Sequence, residues 1–129
     1  MTDRPQGELA LNQIGQIAIP VADVERAIAF YRDVLGMRFL FQAPPGLGFF
    51  DCGGVRLMLD GPAEAQAGQS SVVYYRVDDL NAAHEALVAR GVVFEAAPHL
   101  VAKLSDHELW MAFFRDPDGN RLSLTQFAG

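Results

Sequence analysis

The sequence contains a single cysteine, Cys52, which excludes a disulfide within the chain and fits a reducing compartment. It also lacks a run of about 20 apolar residues, the length that is needed to span a bilayer. The chain has 10 basic and 16 acidic residues, and the basic ones form no cluster that would indicate a nucleic-acid groove. Residues 1–11 are polar and contain no apolar signal-peptide segment. These absences predict a cytoplasmic protein that binds neither nucleic acid nor membrane.

The most informative stretch that is present is a predicted hairpin at residues 113–125. Residues 116–119 (DPDG) have turn chemistry, because proline presets φ at the second position and glycine accepts a positive φ. Apolar and polar residues alternate after the turn, as in a half-buried strand. A weaker copy of this pattern occurs at residues 49–59, in which Asp51 and Gly54 take equivalent places. The copy indicates an internal duplication.

The residues before each hairpin also repeat. In the first half they predict a strand over 14–21, a helix between Asp23 as N-cap and Gly36 as stop, and a strand over 37–41. In the second half the same patterns predict a strand over 72–77, a helix from Asp78 or Asp79 to Gly91, and a strand over 92–96. The second half is longer, with its extra residues at about 98–107.

This order predicts an α+β fold of two paired βαβββ modules that form a cupped mixed sheet, with the helices on the outer face. We expect one domain over residues 1–129, with module one at about 13–60, a linker at 61–70 and module two at about 71–127. One helix covers only one face of a four-stranded sheet. The other faces either enclose a small ligand or fill each other, and the modules pair either within a chain or between chains.

Three segments resemble the vicinal oxygen chelate superfamily, which includes glyoxalase I, extradiol dioxygenases and bleomycin-binding proteins. They are residues 17–23 (IAIPVAD), 27–36 (AIAFYRDVLG) and 114–120 (FRDPDGN), within a resemblance that spans about 13–127. The resemblance implies the cupped fold. It does not specify one activity, because related folds host unrelated chemistries.

The resemblance also implies where a metal would be held in the cup. The four matching positions are occupied by Gln16, Met58, Val72 and Ser123, the last of which stands where a glutamate is usual. A hard divalent ion prefers carboxylate or imidazole ligands, which this set lacks. We therefore expect no metal and no other cofactor.

Weak catalytic candidates lie in the extra segment of the second half. His99 and Glu108 could perform acid–base chemistry at the rim of the cup. Whether these two residues and His107 bind a metal across a dimer is left open, although no motif spacing supports it. Cys52 has no histidine near it in the sequence to activate it.

Strand alternation and the resemblance together predict which residues line the cup. The predicted ligand-binding residues are Gln16, Met58, Val72, Tyr74, Arg76, Met111, Phe113 and Ser123. Alternation also turns Arg56, Arg121 and Thr125 inward, and the arginines favour an anionic or neutral ligand.

The leading hypothesis is a homodimeric protein that binds an apolar or aromatic small molecule without a metal. The alternative is an enzyme, either a lyase or isomerase similar to lactoylglutathione lyase or a dioxygenase-like protein, with a non-standard metal or acid–base site. A third possibility is an interaction domain with a filled cup. Whether any reaction is catalysed, and on which substrate, is left open.

Overall fold

A computed structural model describes residues 9–63 and 65–128. The first module contains β1 (Gln16–Pro20), α1 (Val24–Ala29, continued by a π-helical segment, Phe30–Val34), β2 (Arg38–Ala43), β3 (Leu47–Cys52) and β4 (Val55–Asp60). The second contains β5 (Val73–Arg76), α2 (Leu80–Ala89), β6 (His99–Lys103), β7 (Glu108–Arg115) and β8 (Arg121–Ala128). No helix in the described part of the chain is long and apolar enough to cross a membrane.

The described strands form two separate four-stranded sheets. Sheet A has the order β1-β4-β3-β2, and sheet B has the order β5-β8-β7-β6. In each sheet the first strand of the module pairs parallel with the last, and the other pairings are antiparallel. The predicted fold class, α+β with paired βαβββ modules and mixed sheets, is confirmed.

Local capping chemistry fixes the helix ends as the sequence predicts. The Asp23 carboxylate accepts hydrogen bonds from the backbone N–H groups of Glu25 and Arg26, both at 3.1 Å, and so caps α1. The helical segment ends at Gly36, whose φ of 74° glycine adopts without a Cβ penalty. Of the two candidates for capping α2, Asp79 is the residue that does so.

The predicted strand over residues 92–96 is wrong. Val92 is buried and its N–H bonds to the Leu87 carbonyl, so the chain is still held at the end of α2. Phe94 forms one isolated bridge with Phe114, and its ring packs on the half-buried His84 with 4.4 Å between the ring centroids. In this segment the side chains therefore pack against the helix, and the backbone does not pair continuously with a neighbouring strand.

The fourth strand of sheet B comes from the extra residues instead. β6 pairs antiparallel with β7, and His99 lies opposite Met111. A bulge then shifts the register, so that Ala102 rather than Val101 lies opposite Leu109. The sequence of β6 alone carries little strand signal, since most of its side chains are exposed.

A single core joins the two modules through their helix-bearing faces. It contains residues of both helices and both sheets, among them Tyr31, Phe50, Leu87 and Phe114. Because the helix-bearing faces share this core, the open faces of the two sheets do not face each other within one chain. The two halves of the expected cup therefore do not close on each other in a single chain.

Candidate functional site

The open face of sheet A, which we call face A, is aromatic at its centre. It comprises Gln16, Ala18, Phe41, Phe49, Arg56 and Met58. Ala18, Met58, Phe49 and Phe41 are successive register partners and so form one row across four strands. The Phe41 and Phe49 rings lie 4.7 Å apart, and the Arg56 guanidinium lies 5.5 and 5.3 Å from their centroids. These contacts give face A an apolar surface beside a cation.

The open face of sheet B, face B, has two parallel rows. It comprises Tyr74, Arg76, His99, Met111, Phe113, Ser123, Thr125 and Phe127. One row is Tyr74, Ser123 and Phe113, and the next is Arg76, Thr125, Met111 and His99. Each row places a small hydroxyl residue of β8 between larger side chains of β5 and β7. Face B is therefore a groove with a low floor and two high walls.

The floor of this groove is buried although the face is open. Ser123 is 0% exposed and Thr125 is 4% exposed. The Tyr74 and Phe113 rings meet edge to face at 5.9 Å above Ser123, whose hydroxyl donates to the Leu124 carbonyl at 3.0 Å. The Thr125 hydroxyl is buried and has no hydrogen-bond partner among the described residues. An unpaired buried hydroxyl is unusual and requires an explanation.

Three guanidinium groups lie over phenyl rings on these faces, and one of them is neutralised. Arg121 lies 3.9 Å from the Phe113 centroid and forms an ion pair with Glu95 at 2.9 Å. Hydrogen bonds from Arg121 lower the pKa of Glu95. Arg76 lies 4.8 Å from the Phe127 centroid, and neither it nor Arg56 forms an ion pair within the described residues. Faces A and B thus each present one cation that forms no ion pair within the described residues, although Asp51 is the register partner of Arg56 in sheet A.

Behind the faces, the 116–120 turn joins the two modules. The buried Asp116 carboxylate accepts hydrogen bonds from the Tyr31 hydroxyl at 2.7 Å, from the Asn120 side chain at 3.0 Å, and from the backbone N–H groups of Asp118 and Asn120. Asp118 accepts from the Ala22 N–H, and Asn120 donates to the Pro20 carbonyl. The turn motif is therefore a structural joint, and its polar residues do not face either groove.

Comparison with known proteins agrees with this architecture. Residues 13–124 match the family described as the Glyoxalase/Bleomycin resistance protein/Dioxygenase superfamily. The chain belongs to this superfamily. It is 34% identical over 123 residues to a glyoxylase-like domain-containing protein of Didymella fabae, which covers 84% of this chain and 88% of that protein.

Two solved structures whose proteins have different named activities are similar to this chain in fold. TnmS3, an antibiotic-binding protein from Streptomyces sp. CB03234, is 26% identical, with a TM-score of 0.75 and coverage of 94% of this chain and 100% of the other. A lactoylglutathione lyase from Agrobacterium tumefaciens is 22% identical, with a TM-score of 0.71 and coverage of 91% and 95%. The second likeness shows the fold alone.

The residues at the superfamily's metal positions do not fit a metal. The Gln16 side-chain amide donates to the Met58 sulfur at 3.7 Å on face A, and this pair offers one amide oxygen and one thioether. On the other sheet, Ser123 is buried with its hydroxyl already donating, and Val72 has no donor atom. Elsewhere in the described ranges, no group of three His, Cys, Asp or Glu side chains is placed to hold an ion. The side chains at these four positions thus lack the carboxylate and imidazole groups that usually bind the metal.

The two weak catalytic candidates lie on opposite faces of sheet B. His99 lies on face B, 6.4 Å from the Phe113 ring, and its Nδ1 is 3.1 Å from the Ala97 carbonyl. Glu108 accepts a hydrogen bond from the Trp110 indole at 3.0 Å, and both residues point toward the helix side. His107 contacts Asp106 at 2.7 Å in the β6–β7 turn. The structure does not bring His99 and Glu108 together.

Sequence analysis missed three aromatic residues that shape the faces. They are Phe41, Phe49 and Phe127. Strand alternation could have identified Phe127, because it lies two residues beyond Thr125 on the same strand. Phe49 could have been identified by aligning the two strands of the first hairpin, because it lies opposite Met58. Phe41 had no such signal, since a bulge between Phe39 and Phe41 changes the phase of β2.

Replacing Tyr31 with phenylalanine should lower the free energy of unfolding by about 1–2 kcal/mol, because Asp116 loses one buried hydrogen bond. Burial and the Asp116 carboxylate raise the pKa of Tyr31 well above its usual value. The folded state therefore keeps this phenol neutral, and its stabilising contribution is lost as the pH rises above the unfolded value of about 10. Urea unfolding of both proteins should show a difference that shrinks above about pH 10. A difference that stayed constant to higher pH would contradict the assignment.

Proposed function

We propose that this protein binds an apolar or aromatic small molecule as a homodimer and uses no metal to do so. One observation carries the proposal: both sheets turn an aromatic face away from the chain's own core. Tyr74 is 51% exposed, Phe127 46% and Phe41 44%. Exposed apolar patches of this kind mark binding surfaces or subunit interfaces. The antibiotic-binding activity named for TnmS3 supports binding as the function.

The geometry of one chain supports a second copy as the partner. Faces A and B do not face each other within one chain, so face A can meet a face B only if another molecule supplies it. A two-fold axis that brings face A onto the partner's face B also brings face B onto the partner's face A, which closes the assembly. Such a dimer contains two identical cups, each lined by aromatic residues of both sheets.

The remaining parts of the proposal concern setting and partners. We infer a cytoplasmic protein, because Cys52 is exposed and is the sole cysteine of the chain. The inferred partners are a small molecule and a second copy of the chain, with neither nucleic acid nor membrane. The net charge of −6 supports the exclusion of nucleic acid.

Three measurements on the purified protein test the proposal together. Light scattering should give twice the single-chain mass of 14.1 kDa. Metal analysis of protein purified without chelator should find no stoichiometric metal. A thermal-shift screen of aromatic compounds should find ligands that raise apparent stability, by about 2.7 kcal/mol at a hundredfold excess over Kd. A monomer, or a bound metal at one per chain, would overturn the proposal.

A second candidate function is an acid–base enzyme of the lyase or isomerase type. The observation that favours it is the position of His99 on face B, where Nε2 is left for proton transfer while Nδ1 contacts Ala97. A compound found in the screen should then be converted, and His99→Gln should retain binding while losing turnover. If the compound binds but is not converted, the function is binding alone.

A further inference from the structure

Resting on the proposed function, we propose that the cup selects planar aromatic anions, whose carboxylate is held by the Arg76 guanidinium and the Thr125 hydroxyl. The two residues are register partners on neighbouring parallel strands, so their side chains emerge side by side on face B. This inference goes beyond binding itself, because it names the charge and the shape of the ligand.

The packing of Arg76 leaves its guanidinium able to bind an anion. Its guanidinium lies over the Phe127 ring at 4.8 Å from the centroid. A guanidinium over a phenyl ring still has N–H groups directed away from the ring, and these match the two oxygens of a carboxylate. The phenyl ring also holds the side chain in place, so less freedom is lost when a ligand binds.

Thr125 supplies the second observation. Its side chain is on the groove floor between Arg76 and Met111, and its hydroxyl is buried without a partner within the described residues. A carboxylate oxygen that approaches Arg76 would also accept a hydrogen bond from this hydroxyl. Because Thr125 is 4% exposed, this contact requires the flanking Arg76 and Met111 side chains to move aside. Ser123, the neighbouring floor residue, is already satisfied by the Leu124 carbonyl and is not available in the same way.

The other two arginines differ in whether they form an ion pair. Arg121 is neutralised by Glu95 and serves to hold the Phe113 ring, so it adds little attraction for an anion. Arg56 lies over the Phe41 and Phe49 rings without an ion pair in the described part of the chain. In the proposed dimer, Arg56 of the second copy would approach the same cup from face A.

The aromatic side chains beside the anion position indicate that the rest of the ligand is aromatic. Tyr74 and Phe113 form an edge-to-face pair beside the anion position, and a flat ring can pack against them. A neutral ligand would leave the Arg76 charge without a partner when the cup closes, and a cation would be repelled. The net charge of −6 cannot attract anions, so selectivity must reside in these local groups.

The test compares three naphthalene compounds of one shape: naphthoate, naphthalenemethanol and naphthylmethylammonium. Isothermal titration of the wild-type dimer should give a Kd for naphthoate at least about tenfold lower than for the alcohol, because charge-assisted hydrogen bonds are the strong ones. The ammonium compound should bind most weakly.

Variants then locate the effect. Arg76→Gln and Thr125→Val should each weaken naphthoate binding, by roughly tenfold for Arg76→Gln, and change binding of the alcohol less than about threefold. Thr125→Ser should keep the hydroxyl and restore most of the affinity. Arg32→Gln removes the same charge from an exposed helix site beside Asp33, and it should leave naphthoate binding unchanged.

The outcomes separate this inference from the proposed function. If the alcohol binds as tightly as naphthoate, or if Arg76→Gln weakens both equally, anion selectivity is overturned and aromatic binding stands. If Thr125→Val binds naphthoate as the wild type does, the role of the hydroxyl is overturned. If none of the three compounds binds the wild type at millimolar concentration, both proposals are overturned.

Discussion

Replacing Asp116 with alanine is expected to lower the free energy of unfolding by about 4 kcal/mol. The substitution removes an acceptor of four hydrogen bonds and leaves the Tyr31 hydroxyl without its partner in the core. A buried polar group left unsatisfied costs about 1–3 kcal/mol, and here the affected groups lie in both modules. Urea unfolding followed by circular dichroism measures the change as a lower midpoint at an unchanged slope.

Asp33→Ala is the matched control for this variant. Asp33 pairs with the adjacent Arg32 on the exposed side of the helical segment, and surface pairs of this kind contribute little. Its loss should leave the free energy of unfolding close to that of the wild type. If Asp116→Ala were equally mild, the 116–120 turn would not be the joint between the modules.

Replacing Ala18 with glutamate should convert the dimer to a monomer and abolish ligand binding. Ala18 is exposed on face A at the end of the row through Met58 and Phe49. Within one chain the added carboxylate remains in water, so the fold is retained. In the dimer the carboxylate and its added bulk would be forced into the aromatic contact with the partner's face B, where desolvation costs several kcal/mol. Light scattering and titration with an aromatic ligand measure both effects.

Ala82→Glu provides the control for added charge. Ala82 is exposed in the first turn of α2, far from both open faces, where a carboxylate interacts favourably with the helix N-terminus. This variant should remain a dimer with wild-type binding. If Ala18→Glu also remained a dimer, face A would not be the subunit interface.

Local chemistry made much of the fold predictable. The caps at Asp23 and Asp79 and the stop at Gly36 depend on a few neighbouring atoms, and all three are confirmed. The failure at residues 92–96 has a different cause. An alternating apolar segment can pack on a helix as well as in a sheet. Here Val92 is buried, and the partly buried Phe94 packs on His84 of α2 and on Phe114.

The candidate site was predictable only in part. Period-two alternation predicts that Tyr74, Arg76 and Ser123 share one face, because their strands are regular and their register is simple. Alternation does not reveal that Arg121 is neutralised by Glu95, a residue on the irregular segment between α2 and β6. Nor does it reveal the unpaired Thr125 hydroxyl, which depends on neighbours from two other strands.

The sequence by itself determined the duplicated module, the superfamily resemblance, and the replacement of the usual metal-binding glutamate by Ser123. Each of these is a property of residue type and spacing along the chain. Only the tertiary structure decided that the modules join through their helix-bearing faces and turn faces A and B outward. That choice depends on contacts between residues far apart in the chain, such as Tyr31 with Asp116 and Pro20 with Asn120. The free energy of burying both helices in one core, rather than any local pattern, sets the direction in which the aromatic faces point.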